Sequence, residues 1–80
     1  MNRIAAVLKD AEIMNKGSKE KDGKVKKYFQ ALLKREGGFS DLVYVNGDGV
    51  ECGKLYDLNV LISSWNGNLY FKLIDYEELK

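Results

Sequence analysis

Histidine and proline are absent from these 80 residues, and there is one cysteine, Cys52. Each shortage removes a class of chemistry. Without histidine there is no imidazole to serve as a general base near neutral pH and no basis for a zinc cluster, and a lone thiol cannot close an internal disulfide. No apolar run approaches the roughly 20 residues that span a bilayer, and the N-terminus shows no apolar signal-peptide segment. The expectation is a metal-free, cofactor-free protein of the cytoplasm.

Catalytic groups are equally scarce. No two carboxylates fall at a spacing that forces a shared site, and Asp75, Glu77 and Glu78 read as a charged tail. Cys52, set between Glu51 and Gly53, reads as a small strand or turn residue and not as a nucleophile. Asn46-Gly47-Asp48-Gly49 is turn chemistry: no strand-to-helix context follows, and the lysine-hydroxyl pair of a phosphate-binding P-loop is missing. An enzyme is not expected.

What is present fits one globular domain over residues 1–80, with 45% hydrophobic residues, 31% charged residues and nine aromatics. The net charge of +1 conceals a split, because residues 1–36 hold ten Lys/Arg against five Asp/Glu while residues 37–80 hold three against seven. One region is therefore fitted to attract phosphates, or to pair with a complementary protein. Its centre is the stretch NKGSKEKDGKVKKYF, residues 15–29, in which six lysines lead directly into Tyr28 and Phe29.

The C-terminal half reads most clearly. Asn66-Gly67 is the preferred dipeptide of a type I′ hairpin turn and lies between strand-forming runs. A two-residue turn there pairs Ile62 with Phe71, Val60 with Leu73, Ser63 with Tyr70 and Leu61 with Lys72. Tyr56, Leu58, Val60, Ile62, Leu69, Phe71 and Leu73 then share the core face. Leu55, Asp57, Asn59, Leu61, Ser63, Trp65, Tyr70, Lys72 and Ile74 share the other. A further strand is expected over Phe39–Val45.

Residues 1–36 support two readings. Ile4, Val7, Leu8 and Ala11, and then Val25, Phe29, Leu32 and Leu33, lie at helical spacing, with Gly37-Gly38 where a helix would stop. Val25, Lys27, Phe29, Ala31 and Leu33 also alternate with Lys26, Tyr28, Gln30, Leu32 and Lys34, directly after a Lys-Asp-Gly-Lys turn. Two strands joined by a basic hairpin fit that pattern.

In the strand reading the first strand ends near Met14, a basic wing follows, and a second strand begins at Val25-Lys-Lys-Tyr-Phe. Leu42-Val-Tyr-Val, Gly53-Lys-Leu-Tyr-Asp-Leu-Asn-Val and Leu-Tyr-Phe-Lys-Leu complete the order. This resembles the small single-stranded DNA-binding proteins of bacteriophages, the filamentous-phage gene V type. The resemblance implies an all-β fold, a five-stranded OB-like Greek-key barrel, which allows a homodimer and acts in phage DNA replication in the host cytoplasm. It also implies a mobile basic wing, here residues 15–24, and an aromatic at its base, here Tyr28. The tight Asn66-Gly67 turn departs from that family, whose longer hairpin contributes to the dimer contact. The alternative fold is α+β, two N-terminal helices followed by a three-stranded antiparallel meander.

Single strands are bound by cations that follow phosphates and flat side chains on which bases stack. Lys16, Lys19, Lys21, Lys24, Lys26, Lys27 and Lys72 are the candidate cations, and Tyr28, Tyr44, Trp65 and Tyr70 the candidate platforms. DNA or RNA would serve as partner. The competing reading is a small phage-type inhibitor or adaptor that binds another protein through its acidic half, with the lysines as a solvated loop and the outward aromatics as cross-strand packing.

Overall fold

The structure, a computed structural model, describes residues 3–34, 36–38 and 40–79. Among these residues are five strands: β1 (Arg3–Lys21), β2 (Lys24–Lys34), β3 (Ser40–Asn46), β4 (Leu55–Trp65) and β5 (Asn68–Glu78). They close into a barrel in the order β1-β2-β3-β5-β4, with β4 pairing back onto β1. Every pairing is antiparallel except β3 with β5, a short parallel contact at Val45/Phe71 and Asn46/Lys72. The expected all-β barrel is therefore the fold, and the α+β alternative is not adopted. Among the described residues no helix is long and apolar enough to cross a membrane.

Closure depends on β1. Its first part pairs with β4 from Arg3 to Glu12, and its second part pairs with β2 from Glu12 to Lys21. Two register shifts, between Leu8 and Ala11 and between Ile13 and Asn15, bend the strand from one ladder into the other. At the first, Asp10 takes a φ of 54° and its backbone N–H donates to Asp57 Oδ1 at 3.1 Å. The same irregularity supplies part of the helical look of the N-terminus: Ala6 and Leu8 face the core, then Ala11 and Ile13 do, so the step from Leu8 to Ala11 is a helical one. Ile4 and Val7, which complete the pattern, are exposed apolar residues.

The hairpin of β4 and β5 has the expected register at all four of the pairs named from sequence. Asn66 and Gly67 have φ values of 51° and 79°, the two positive angles that a type I′ turn requires. Tyr56, Leu58 and Val60 are buried, and Ile62, Phe71 and Leu73 pack against them. Leu69, expected in the core, is 63% exposed. It has the correct parity but lies beyond Phe71, the last core-facing residue that β5 shares with β3, so it stands at the barrel rim.

Phe29 and Ala31 from β2 and Val45 from β3 complete the core with Val50, all fully buried. Val50 belongs to the loop that joins β3 to β4. That loop is fastened to the bend of β1, where Ile13 N–H donates to Lys54 O at 3.1 Å and Gly53 N–H donates to Ile13 O at 2.8 Å. Cys52, in the same loop, is exposed. Gly37 and Gly38, expected as a helix stop, lie in a short 3-10 turn, Glu36–Gly38, between β2 and β3. The strand start expected at Phe39 falls on a residue outside those described, and β3 begins at Ser40.

Burial of Phe29 settles which of the two adjacent aromatics faces the core. Phe29→Ala is expected to lower stability by about 3–5 kcal/mol, enough to abolish a cooperative melt in a domain of this size. Tyr28→Ala, one residue away and on the outer face, is expected to keep that melt. Thermal unfolding followed by near-UV circular dichroism distinguishes the two.

Candidate functional site

The strand expected to end near Met14 continues to Lys21, so the basic stretch is a regular ladder and not an irregular loop. Pairing with β3 stops at Tyr28, which leaves the residues from Ser18 to Lys27 as a two-stranded ribbon. Its turn, Asp22-Gly23, again has two positive φ values, 53° and 75°. Because side chains alternate along each strand, the ribbon sorts its lysines between two faces.

One face carries Lys19 and Lys21 from β1 and Lys24, Lys26 and Tyr28 from β2. Lys19 stands directly opposite Lys26, and Lys21 directly opposite Lys24. Two like-charge pairs oppose the ladder there, and no carboxylate among the described residues lies within ion-pair distance of the four ammonium groups. A solvated positive field is the result.

Tyr28 is held in place from below and from above. It faces Gly17 across the ladder, and a Cβ on Gly17 would stand 2.6 Å from the Tyr28 hydroxyl oxygen and 2.7 Å from Cζ. Only glycine leaves room for the ring to lie across β1. Lys19 Nζ sits 5.7 Å from the ring centroid, within cation-π range. The ring of Tyr44 follows on β3, with centroids 5.8 Å apart and planes tilted by 55°. Beside them Asn15 Nδ2 donates to Gln30 Oε1 at 2.9 Å, which fixes the neighbouring cross-strand pair.

These groups border a cleft of about 280 Å³, walled by Lys19, Tyr28 and Tyr44, by Asn46, and by Leu69, Tyr70 and Phe71 at the start of β5. Three of the four expected platforms therefore meet. Trp65 does not: it is 57% exposed beside the β4–β5 turn, outside the cleft. Lys72 is next to Asn46 in the parallel ladder, on the outer wall beyond the cleft. Asn46, Leu69 and Phe71 were not expected there, and neither was the bed that Gly17 provides. An isolated glycine in a strand opposite an aromatic was the available signal for the last.

Lys16 and Lys27 are on the other face, on either side of Asp48, at 3.0 Å and 3.2 Å. The Asp48 carboxyl is held well below the ordinary carboxylate range by its hydrogen bond from Lys16, then by the Gly49 N–H and by Lys27. The same contact raises Lys16. With its folded pKa depressed, Asp48 contributes stability above its ordinary pKa and loses it as pH falls through the folded value, so the contact is intact across the neutral range. At a separate cluster Lys54 binds Glu51 at 2.6 Å and Glu78 at 3.3 Å, which raises Lys54 and lowers Glu51.

No protein-family model and no curated protein matches the chain. Among solved structures it is similar to the OB domain of Ta0387 from Thermoplasma acidophilum, with a TM-score of 0.51 and 15% identity over 95% of this chain and 72% of that one. The chain has an OB fold. In OB terms the cleft lies on the face of strands 2 and 3, between Lys19 of β1 and the first residues of β5.

The fit of Tyr28 onto Gly17 has a direct check. Gly17→Ala is expected to leave the barrel folded while pushing the ring outward, because the obstructing atoms are the far end of a side chain. In NMR spectra the ring-current shifts of the Hα at position 17 and of the Lys19 methylene protons should collapse toward random-coil values. Their persistence in the variant would show that the ring does not rest on Gly17.

Proposed function

We propose that the protein binds single-stranded DNA without strong sequence preference and without catalysis, using the lysine face of the ribbon for phosphates and the tyrosine cleft for bases. A single strand of RNA offers the same two kinds of group and falls within the reading. The observation that carries it is the Tyr28 ring, seated on Gly17 beside Lys19 and Tyr44, on one face with four ammonium groups that have no carboxylate within ion-pair distance among the described residues. A ring seated on Gly17, with its outer face covered only by the flexible Lys19 side chain, becomes a stacking platform when a base displaces that lysine towards a phosphate.

The fold supports the same reading, since OB folds take oligonucleotides or oligosaccharides on the face of strands 2 and 3 and at the loops that flank it. Charge favours the oligonucleotide. Lys19, Lys21, Lys24 and Lys26 have nothing to neutralise on an uncharged sugar chain, whereas phosphates would relieve both like-charge pairs. Duplex is the weaker ligand, because its bases are stacked on one another and present no free face to Tyr28. This is the mode of binding that the gene V resemblance implies.

With four lysines on phosphates, the affinity for a 16-mer of oligo-dT should fall with salt at a log-log slope of about −2.8, and should exceed that for duplex of equal length. Lys19→Gln with Lys21→Gln should flatten the slope by about 1.4. Tyr28→Ala should weaken binding by about 1–3 kcal/mol and leave the slope nearly unchanged, because a stacking contact releases few counterions. Fluorescence anisotropy across a salt series measures all three. Equal binding of the two nucleic acids at low salt, or binding of neither, removes this function and returns the lead to a protein partner.

A further inference from the structure

On the ribbon face opposite Tyr28, Lys16 and Lys27 converge on one carboxylate and take one oxygen each: Asp48 Oδ1 lies 3.0 Å from Lys16 Nζ, and Oδ2 lies 3.2 Å from Lys27 Nζ. The Gly49 N–H also bonds to it. Gly17 and Ser18 line the same shallow recess, of about 260 Å³. Two ammonium groups and a backbone N–H gathered around a small oxyanion form the donor set that would receive the two non-bridging oxygens of a phosphodiester.

We propose that the Lys16–Lys27 pair is a second phosphate site, kept closed by Asp48, whose carboxylate stands where a strand phosphate would bind. The proposal rests on the single-strand reading and sets the limit of its footprint. Asp48 has the advantage of a tether, since the preceding residue is bonded to the ribbon through Gly47 N–H and Lys27 O at 2.9 Å. A phosphate arriving from solution must displace a carboxylate presented at a high effective concentration. Asp48 is ionised throughout the neutral range, so no change of pH within that range opens the site. The six lysines from Lys16 to Lys27 are thereby divided into four that serve the strand and two that share the single carboxylate of Asp48.

Asp48→Asn keeps the shape and removes the charge. At 0.1 M salt this variant is expected to bind the oligo-dT 16-mer on the order of tenfold more tightly, with a log-log salt slope steeper than wild type by about 1.4, the contribution of two further lysines. Lys16→Gln with Lys27→Gln is expected to leave the wild-type slope unchanged and to abolish the gain when combined with Asp48→Asn. A folded Asp48→Asn protein with the wild-type slope overturns the proposal, as does a flatter slope for the double lysine variant when Asp48 is intact. Titration with inorganic phosphate alone, followed at the Ser18 and Gly49 amide signals, separates this site from the strand reading. Shifts in Asp48→Asn but not in wild type support a closed phosphate site whether or not DNA binds, and shifts in neither protein overturn it.

Discussion

One strand, β1, is shared by two ladders, and the rest of the molecule depends on the bend that lets it be. Up to Glu12 its partner is β4, and from Glu12 onward its partner is β2. Without the two register shifts a straight strand of 19 residues would carry β2 and β4 on one flat sheet, and the barrel could not close. The bend is anchored by backbone hydrogen bonds to the β3–β4 loop at Ile13 and by Asp57 at Asp10. It also sends the end of β1 out of the barrel, where it forms the ribbon with β2.

Once the ribbon exists, alternation assigns the chemistry. Phe29 points inward and fills the core, so Tyr28 must point outward, and everything opposite Tyr28 on β1 shares its face. That rule places Gly17 under the ring and Lys19 over it, and brings Lys21, Lys24 and Lys26 onto the same side. It sends Lys16 and Lys27 to the other side, within reach of Asp48. The parallel contact of β3 with β5 then brings Tyr44 and Tyr70 to the same cleft. The lysine face proposed for phosphates and the pair held by Asp48 are thus separated by a single residue step along each strand.

Local chemistry was legible and long-range geometry was not. Asn66-Gly67 and Asp22-Gly23 announced their turns because the φ values they need are the ones those residues tolerate, and the first turn fixed the register of β4 against β5. The N-terminal strand was obscured because its bulge replaces a step of two by a step of three, and the exposed apolar residues Ile4 and Val7 extend that step into a helical period. Leu69 looked like core because parity is visible in a sequence and the position of the barrel rim is not. Tyr28 and the lysines could be singled out, but not divided. Asp48 lies 32 residues from Lys16 and 21 from Lys27, and no local pattern links them. Trp65 belongs to the outer face as expected, yet the hairpin carries it past the cleft.

Single-strand binding as proposed requires a base to rest on the Tyr28 ring. Intermolecular NOEs in the complex with oligo-dT test it most directly. Contacts from thymine methyl and H6 protons to the ring protons of Tyr28, with weaker ones to Tyr44, are the predicted result. A complex whose NOEs reach only the β4–β5 wall around Trp65 and Lys72, with the Tyr28 ring signals unmoved, would contradict it.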